Sequence, residues 1–423
     1  MKKVYSTEYV KKIISDNRYD IAFMIGNGVN WYGCNQMVSW KDLLKKIGDQ
    51  EFNYFVADED GNVKDGISYT EIFDALESHN LKKRMEEANW NEILELISKE
   101  VPEIKPIDSR RRAPLDGTKR KLRLLIDDHK STKPCVFTDN EKWMIQEICY
   151  ELGIDADYFI GTINDNDNEL YNRLKQLDQK LSSNYLSILL SNELKVKVCN
   201  ELNGWVLNDN VNNMINSILE IDSPILTTNF DLSISKKIDE LRLCRMQYHF
   251  MKGGMKSEVC PWSYYFGSKT LDNPCHGFGI WHIHGIAQKP QSICLGLSDY
   301  MRLTETAWRK IHGDSFFETD VFAGKNLNNW NGYKTWLHII FNKSLFIMGL
   351  KLEENETFLR WLLIQRSKYY ALFKDRNHNG WYVYPKEEEK DKDFFGKKVF
   401  LEKVGISMIP VENYKTIYED ILE

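Results

Sequence analysis

Two short stretches carry the side chains best suited to chemistry. Residues 223–238 read SPILTTNFDLSISKKI and present Asn229 and Asp231; residues 280–285 read IWHIHG and present His282 and His284. A carboxamide offers both a donor and an acceptor, so Asn229 can orient a water or a sugar hydroxyl. A neutral imidazole, with an ordinary pKa of about 6.5, can take a proton, which suits His284 to a base. Asp231 can accept a bond from a ligand amide; as an aspartate before a helix it can equally be a plain cap. Gly26-Asn27-Gly28, after the apolar run Ile21–Ile25, is a turn that brings backbone close to a phosphate or is a turn and nothing more. Trp31 stands where a full G-x-G-x-x-G fingerprint needs its last glycine.

The elements that must hold these residues are short buried strands alternating with helices. Ile21–Ile25, Ile225–Thr228, Ile280–His284 and Leu345–Met348 are apolar runs, each closed by glycine or a polar turn. Further strands are expected at Arg245–Phe250, Ser292–Gly296, Trp381–Tyr384 and Ile406–Val411. Helices are expected at 5–16, from Ser39, from Leu232, from Ser298, at 304–312, 333–341 and 355–373, and at the C-terminus. Alternation along Ile280–His284 puts His282 and His284 on one strand face. The pattern is α/β: a parallel sheet with helices on both faces, whose ligands bind outside the carboxyl ends of the strands.

Residues 49–209 break that pattern. They are polar, strand-poor and helical in spacing, so the expected division is a first part of the sheet domain at 1–48, a mostly helical insertion at 49–209, and the remainder of the domain at 210–423. The insertion carries a basic run with Arg110, Arg111, Arg112, Lys119, Arg120, Lys121 and Arg123, either a solvated loop or a contact for an acidic partner.

Composition excludes several classes. The 423-residue chain has a net charge of −6, which weighs against a general nucleic-acid-binding role. It holds no run of eighteen apolar residues, so no membrane span is expected, and its N-terminus lacks the apolar core of a secretory signal. Eight cysteines form no C-x-x-C pair, so zinc-ribbon and thioredoxin-type motifs are absent, and reduced thiols in the cytoplasm are the simplest expectation.

Taken in order, these motifs resemble the sirtuin-like family, particularly its bacterial antiphage members that consume NAD. Gly26-Asn27-Gly28 lies where sirtuins carry G-A-G. Thr227-Thr228-Asn229-Phe230-Asp231 is similar to T-Q-N-I-D, His284-Gly285 to the H-G of the catalytic histidine, and Leu297-Ser298-Asp299-Tyr300 to a segment of the bacterial members. Gly349 sits at the family's late glycine on the adenosine side. The resemblance covers about 1–48 and 210–423 and implies a Rossmann-like core that uses NAD as its substrate. It implies Asn229 and His284 as catalytic residues, and Gly26, Asn27, Gly28, Thr228, Asp231 and Gly349 as residues that hold NAD. It further implies a homo-oligomer, an activating protein partner or phage trigger, and no metal. The zinc ribbon of deacylating sirtuins is missing and Trp31–Trp40 replaces their arginine-containing turn, so the resemblance favours cleavage of NAD by water over protein deacylation.

The chemistry stands beside the name. Cleaving the nicotinamide–ribose bond develops oxocarbenium character at the anomeric carbon and needs a placed water and a base. Two rivals remain: a module that binds NAD or an ADP-ribose derivative without turnover, and a metal hydrolase built on His282 and His284 with His249, Cys260, Cys275 or His276 as further ligands. On the NAD reading His282 is a packed or hydrogen-bonded residue.

Overall fold

The computed structural model describes residues 7–34, 39–52, 68–87, 186–257, 260–313, 330–353 and 356–422, with 138, 142–143 and 145–146 besides. The chain divides into two units, residues 1–74 with 195–423, and residues 75–194. About two thirds of the expected insertion, its basic run included, lies outside the described residues. Of what is described there, residues 186–202 are helical and helix α4 (Tyr69–Glu87) begins the stretch.

The first unit is built on an eight-stranded sheet. Its strands are β1 (Ile21–Ile25), β2 (Ile225–Thr227), β3 (Gln247–Phe250), β4 (Tyr264–Gly267), β5 (Ile280–His282), β6 (Ser344–Met348), β7 (Gly380–Pro385) and β8 (Ser407–Val411), in the order β3-β4-β5-β2-β1-β6-β7-β8. The run β5-β2-β1-β6-β7-β8 is parallel throughout. β1 sits at its centre, paired to β2 on one side and β6 on the other, so the chain builds outward from β1 twice, in opposite directions. A crevice opens at the carboxyl edge of a parallel sheet where that reversal occurs.

Alternation along the central strands divides the core in two. Ala22 and Met24 pack with Trp281, Ile283, Leu345 and Ile347 into a core closed by helices α7 (Leu297–His312), α8 (Trp336–Asn342), α9 (Thr357–Leu372) and α10 (Phe394–Lys403). Ile21, Phe23 and Ile25 pack with Ile225, Ile280, Phe346 and Met348 against α1 (Thr7–Asp16), α5 (Asn212–Ile221) and α6 (Ser233–Glu240). Strands buried on both faces read as continuous apolar runs, which is why β1 and β6 stood out in the sequence. At roughly 1.5–3 kcal/mol per fully buried large side chain, these two cores are the main stabilising feature. Short helices α2 (Gly28–Gly33) and α3 (Trp40–Phe52) follow β1. Among the described residues no helix is long and apolar enough to cross a membrane.

Three details correct the sequence reading. The sheet is not wholly parallel: β4, inside what read as a long glycine-marked loop, pairs antiparallel with both β3 and β5. Ser292–Gly296 is no strand, because Ser292 ties the chain into a turn, its Oγ accepting from the Ile286 N–H at 3.0 Å and donating to the Lys289 carbonyl at 2.7 Å. Strand β5 stops at His282, and residues 283–284 form a turn. Gly285 reverses the chain with φ 103°, and a Cβ there would meet the Ser292 carbonyl at 2.0 Å.

Candidate active site

The residues expected to act on or hold NAD lie at or just beyond the carboxyl ends of parallel strands. Gly26 follows β1, Thr228, Asn229 and Asp231 follow β2, His284 follows β5, and Gly349 follows β6. The turn after β2 is fastened to β1. The Thr228 N–H donates to the Ile25 carbonyl at 3.3 Å and Thr227 Oγ1 donates to the same oxygen at 3.0 Å. Asn229 Nδ2 then donates to the Gly26 carbonyl at 3.3 Å, which joins two of the expected site residues directly. Asn229 is buried, and its Oδ1 has no partner among the described residues.

The two histidines part company. His282 donates from Nδ1 to the Asn229 carbonyl at 2.8 Å, and its ring meets Phe266 edge-on at 5.8 Å, on the core that holds β1's Phe23. His284, in the turn, lies against Tyr300 at 5.3 Å and Phe358 at 5.9 Å, both members of the opposite core. The expectation of a shared face therefore fails, because alternation ceases where β5 ends. Both rings leave Nε2 shut off from solvent and without a partner among the described residues. Burial pushes the His282 imidazole below its ordinary pKa, against the pull of Asn229 and Asp231, and pushes His284 down to about 3. Both are neutral at pH 7, and His284 holds a proton poorly as the site stands.

The glycines have a structural cause of their own. The Gly28 N–H donates to the Gly349 carbonyl at 2.8 Å and the Gly26 N–H to the Met348 carbonyl at 3.1 Å. A Cβ on Gly26 would meet Gly349 O at 2.4 Å, and one on Gly28 would meet Gly349 Cα at 2.5 Å and Tyr418 Oη at 2.7 Å. Gly349 itself has φ 63°. The two turns thus touch backbone to backbone. Gly28's donor is spent inside the protein, so the phosphate role expected for that N–H is not open to it in this arrangement. Asn27 Oδ1 accepts from Asn30 Nδ2 at 3.1 Å.

Asp231 is likewise engaged. Its Oδ1 accepts from the Ser233 N–H at 2.9 Å at the start of α6, and its Oδ2 accepts from Asn30 Nδ2 at 2.7 Å. The capping alternative describes it well. Asn30, which sequence reasoning passed over, links the β1 and β2 turns, since its Oδ1 also accepts from Ser233 Oγ at 2.8 Å.

A second set of polar groups went unnoticed. Tyr300 lies on α7, whose start is held by Asp299: its carboxylate accepts from the Leu295 and Gly296 N–H groups at 3.2 and 3.3 Å and from Lys195 and Arg302 at 2.7 and 2.9 Å. Tyr300 Oη makes a short hydrogen bond with Tyr69 Oη, and Tyr69 Oη donates to Glu356 Oε1 at 3.2 Å. Tyr300 belonged to a quoted motif. Tyr69 came with no signal, opening a helix in the strand-poor block, while Glu356 ends the Gly349–Glu356 segment of the resemblance without a role of its own.

The proposed co-ligands of a metal are scattered. His249 Nε2 pairs with the Gly267 carbonyl at 3.2 Å, while Cys275 Sγ lies 3.7 Å from the His338 carbonyl. Among the described residues no group of three or more His, Cys, Asp or Glu is placed to hold a metal ion. A solvent-open recess of about 360 Å³ on α3 is lined by Asp42, Lys45, Lys46, Asp49 and Gln50 and shares no residue with the site. No family model matches the chain, and no curated protein matches it either.

Proposed function

We propose that this chain is an NAD glycohydrolase of the sirtuin-like type on a Rossmann-like core, cleaving the nicotinamide–ribose bond to give nicotinamide and ADP-ribose. One observation carries the reading. At the carboxyl edge of the parallel strands, the Asn229 Oδ1 acceptor and the His284 Nε2 ring nitrogen are buried without partners among the described residues. Such atoms are costly to leave unmade, and a ligand with donors in the crevice would satisfy them. The strand order supports it: counted in chain order, the six parallel strands run 3-2-1-4-5-6, the arrangement of doubly wound dinucleotide-binding sheets.

In this reading Asn229 orients the attacking water or a ribose hydroxyl, and His284 accepts a hydrogen bond from the same region. Thr228 and Asp231 shape the β2 turn beside them. Gly26, Asn27, Gly28 and Gly349 give close backbone approach at the β1–β6 reversal rather than a free Gly28 donor. Asn229 and His284 are each only 2% exposed, so NAD binding requires the surrounding residues to part. That requirement fits an effector, of the abortive-infection kind in phage defence, kept silent until a homo-oligomer forms or a protein partner or phage trigger acts.

The depressed basicity of His284 favours one other reading, a sensor that binds NAD or ADP-ribose without turnover. Purified protein in an activated or oligomerised form, incubated with NAD and with nicotinamide and ADP-ribose followed by chromatography, separates the two. We expect product from wild type, loss of about 10²–10⁴-fold in His284→Ala and Asn229→Ala, a smaller loss in His282→Ala, and no effect of a chelator. Saturable binding without product selects the sensor. Chelator-sensitive turnover, or equal loss in His282→Ala and His284→Ala, selects the metal hydrolase.

A further inference from the structure

If His284 is a reluctant base, the proton released when water attacks must go elsewhere, and the structure contains a route. Glu356, at the start of α9, receives the Tyr69 hydroxyl on Oε1 at 3.2 Å, and Tyr69 Oη is joined to Tyr300 Oη by a short hydrogen bond. The Tyr300 ring stands edge-on to His284 at 5.3 Å. Part of Glu356 reaches solvent, but its Oε2 is closed off and without a partner among the described residues.

Counting protons fixes the direction of this chain. Each phenol has one hydrogen to give. Since Tyr69 donates to the Glu356 carboxylate, Tyr300 must donate to Tyr69, which leaves the Tyr300 oxygen free to accept. When Glu356 is protonated the order reverses: Glu356 donates to Tyr69, Tyr69 to Tyr300, and Tyr300 outward. The carboxyl therefore decides whether the phenol beside His284 accepts or donates.

We propose that Glu356, acting through Tyr69 and Tyr300, is the proton-accepting end of the candidate active site. The inference rests on the NAD reading for its substrate but not for its wiring. In the step, the water oxygen bonds to the anomeric carbon, and the carbon–nitrogen bond breaks with its electron pair passing to the nicotinamide nitrogen. The water proton enters the chain at Tyr300. Each phenol passes its own hydrogen on, and Glu356 becomes the neutral acid. Both phenols stay neutral in the net transfer, as they must, because burial first, and Glu356 with it, hold Tyr69 and Tyr300 well above the ordinary phenol range. Desolvation, reinforced by Glu353 and opposed by the Tyr69 bond, brings Glu356 up to about 7, the value at which an acid–base group works best near neutrality. The ionisable groups around the chain are Glu353 before α9, Tyr69, Tyr300, His284 and Cys294. Arg360, a turn further along α9, is turned away, donating to the Leu352 carbonyl at 3.2 Å and stacking on Phe400 at 4.1 Å.

The test has one arm that needs no NAD. Infrared spectra recorded across pH 5–9 should show a carboxylic-acid band titrating near pH 7 in wild type and absent from Glu356→Gln. In Tyr69→Phe the midpoint should move upward, because the bond that favours the carboxylate is gone. A midpoint near the ordinary glutamate value of about 4.3, or one unmoved by Tyr69→Phe, overturns the proposal. In the second arm, NAD turnover by wild type should rise with pH through that same midpoint. Glu356→Gln and Tyr69→Phe should both lose the rising limb and fall about 10²-fold at high pH. A loss equal at every pH means a merely structural role and overturns it. Absence of turnover in wild type defeats the NAD reading alone, and the infrared arm then decides the wiring by itself.

Discussion

The contact between Gly349 and Tyr418 gives the most direct check on how the β1 and β6 turns are built. Gly349 has φ 63°, and a Cβ there would lie 2.2 Å from Tyr418 Oη, with the next atoms, Gly28 Cα and N, at 3.1 and 3.3 Å. Gly349→Ala therefore meets two separate penalties: about 1–2 kcal/mol for an L-residue in the left-handed region and about 1–3 kcal/mol for overpacking against the phenol. Tyr418 is fully buried, and its hydroxyl has no partner among the described residues. Tyr418→Phe should consequently be neutral or stabilising by about 1 kcal/mol, since it removes a desolvated group that gains nothing in return. In the double variant the overlap disappears and only the backbone penalty stays, so the two substitutions should couple favourably by about 1–3 kcal/mol in a double-mutant cycle. Urea unfolding of the four proteins measures this, with midpoints compared at constant slope. Tyr418→Phe destabilising by more than about 1 kcal/mol would show that the hydroxyl does have a partner. Strict additivity would show that the overlap does not run through it. Because the double variant regains most of its stability, its NAD turnover then reports on Gly349 as a site residue, free of the folding defect.

Other outcomes follow from buried charge and buried imidazole. His284 has a folded pKa of about 3 against about 6.5 unfolded, so below pH 6.5 the unfolded chain binds a proton that the folded chain refuses. Its contribution is intact above pH 6.5 and is lost as pH falls towards 3; at pH 5 the loss is about 2 kcal/mol relative to pH 7, and His284→Gln should flatten that part of a stability–pH curve. His338, also pushed down to about 3 by burial, should add a similar slope, so urea midpoints should drop steeply from pH 6.5 to 5. Arg366 is 1% exposed and donates to the carbonyls of Ile340, Lys343, His378 and Asn379 at 2.9–3.2 Å. Arg366→Met strands those acceptors and should cost at least about 3 kcal/mol by urea unfolding. Asp299→Ala leaves Lys195 buried without its carboxylate and uncaps α7, with an expected loss of about 3–5 kcal/mol.

The sequence was most informative where residues face apolar surroundings on both sides. Ile21–Ile25 and Leu345–Met348 marked β1 and β6 clearly, because a strand buried on two faces reads as a near-continuous apolar run. It was least informative where the chain is neither periodic nor buried on one side. Tyr264–Gly267 carries two tyrosines, a phenylalanine and a glycine between the edge strand β3 and β5, and its strand pairing is set by those neighbours rather than by its own pattern. The same limit applies to the histidines. Period-two alternation holds only while the strand lasts, and nothing local announces that β5 ends at His282; the Ser292 carbonyl that leaves no room for a Cβ on Gly285 lies seven residues further on. Gly26, Asn229, His284 and Gly349 were legible as strand-end residues, which is why their common sheet edge could be anticipated. Glu356 and Tyr69 were not, since their pairing spans 287 positions of sequence and depends on side chains meeting across helices.

The distribution of satisfied and unsatisfied polar groups bears on function more strongly than any single residue. Two buried charges away from the strand ends are well satisfied: Arg366 finds four carbonyls, and Asp299 finds two backbone donors and two cations. The crevice residues are different. Asn229 Oδ1, His282 Nε2 and His284 Nε2 at the ends of β2 and β5, and Glu356 Oε2 beyond β6, are all closed off without partners among the described residues. Ten further orphans occur elsewhere among the described residues, Ser235 Oγ, Tyr248 Oη, Arg302 Nε and Tyr418 Oη among them. At roughly 1–3 kcal/mol each, four such atoms at one sheet edge are a large sacrifice for a fold whose net stability is on the order of 10 kcal/mol. Apolar side chains of similar volume would remove it, and the flanking Ile283 and Phe358 show that the surroundings accept them. Under the proposed reading, an outside ligand would supply the hydrogen-bonding groups that these atoms lack, and an amide, a neutral imidazole and a near-neutral carboxyl are the groups that cleavage by water would use.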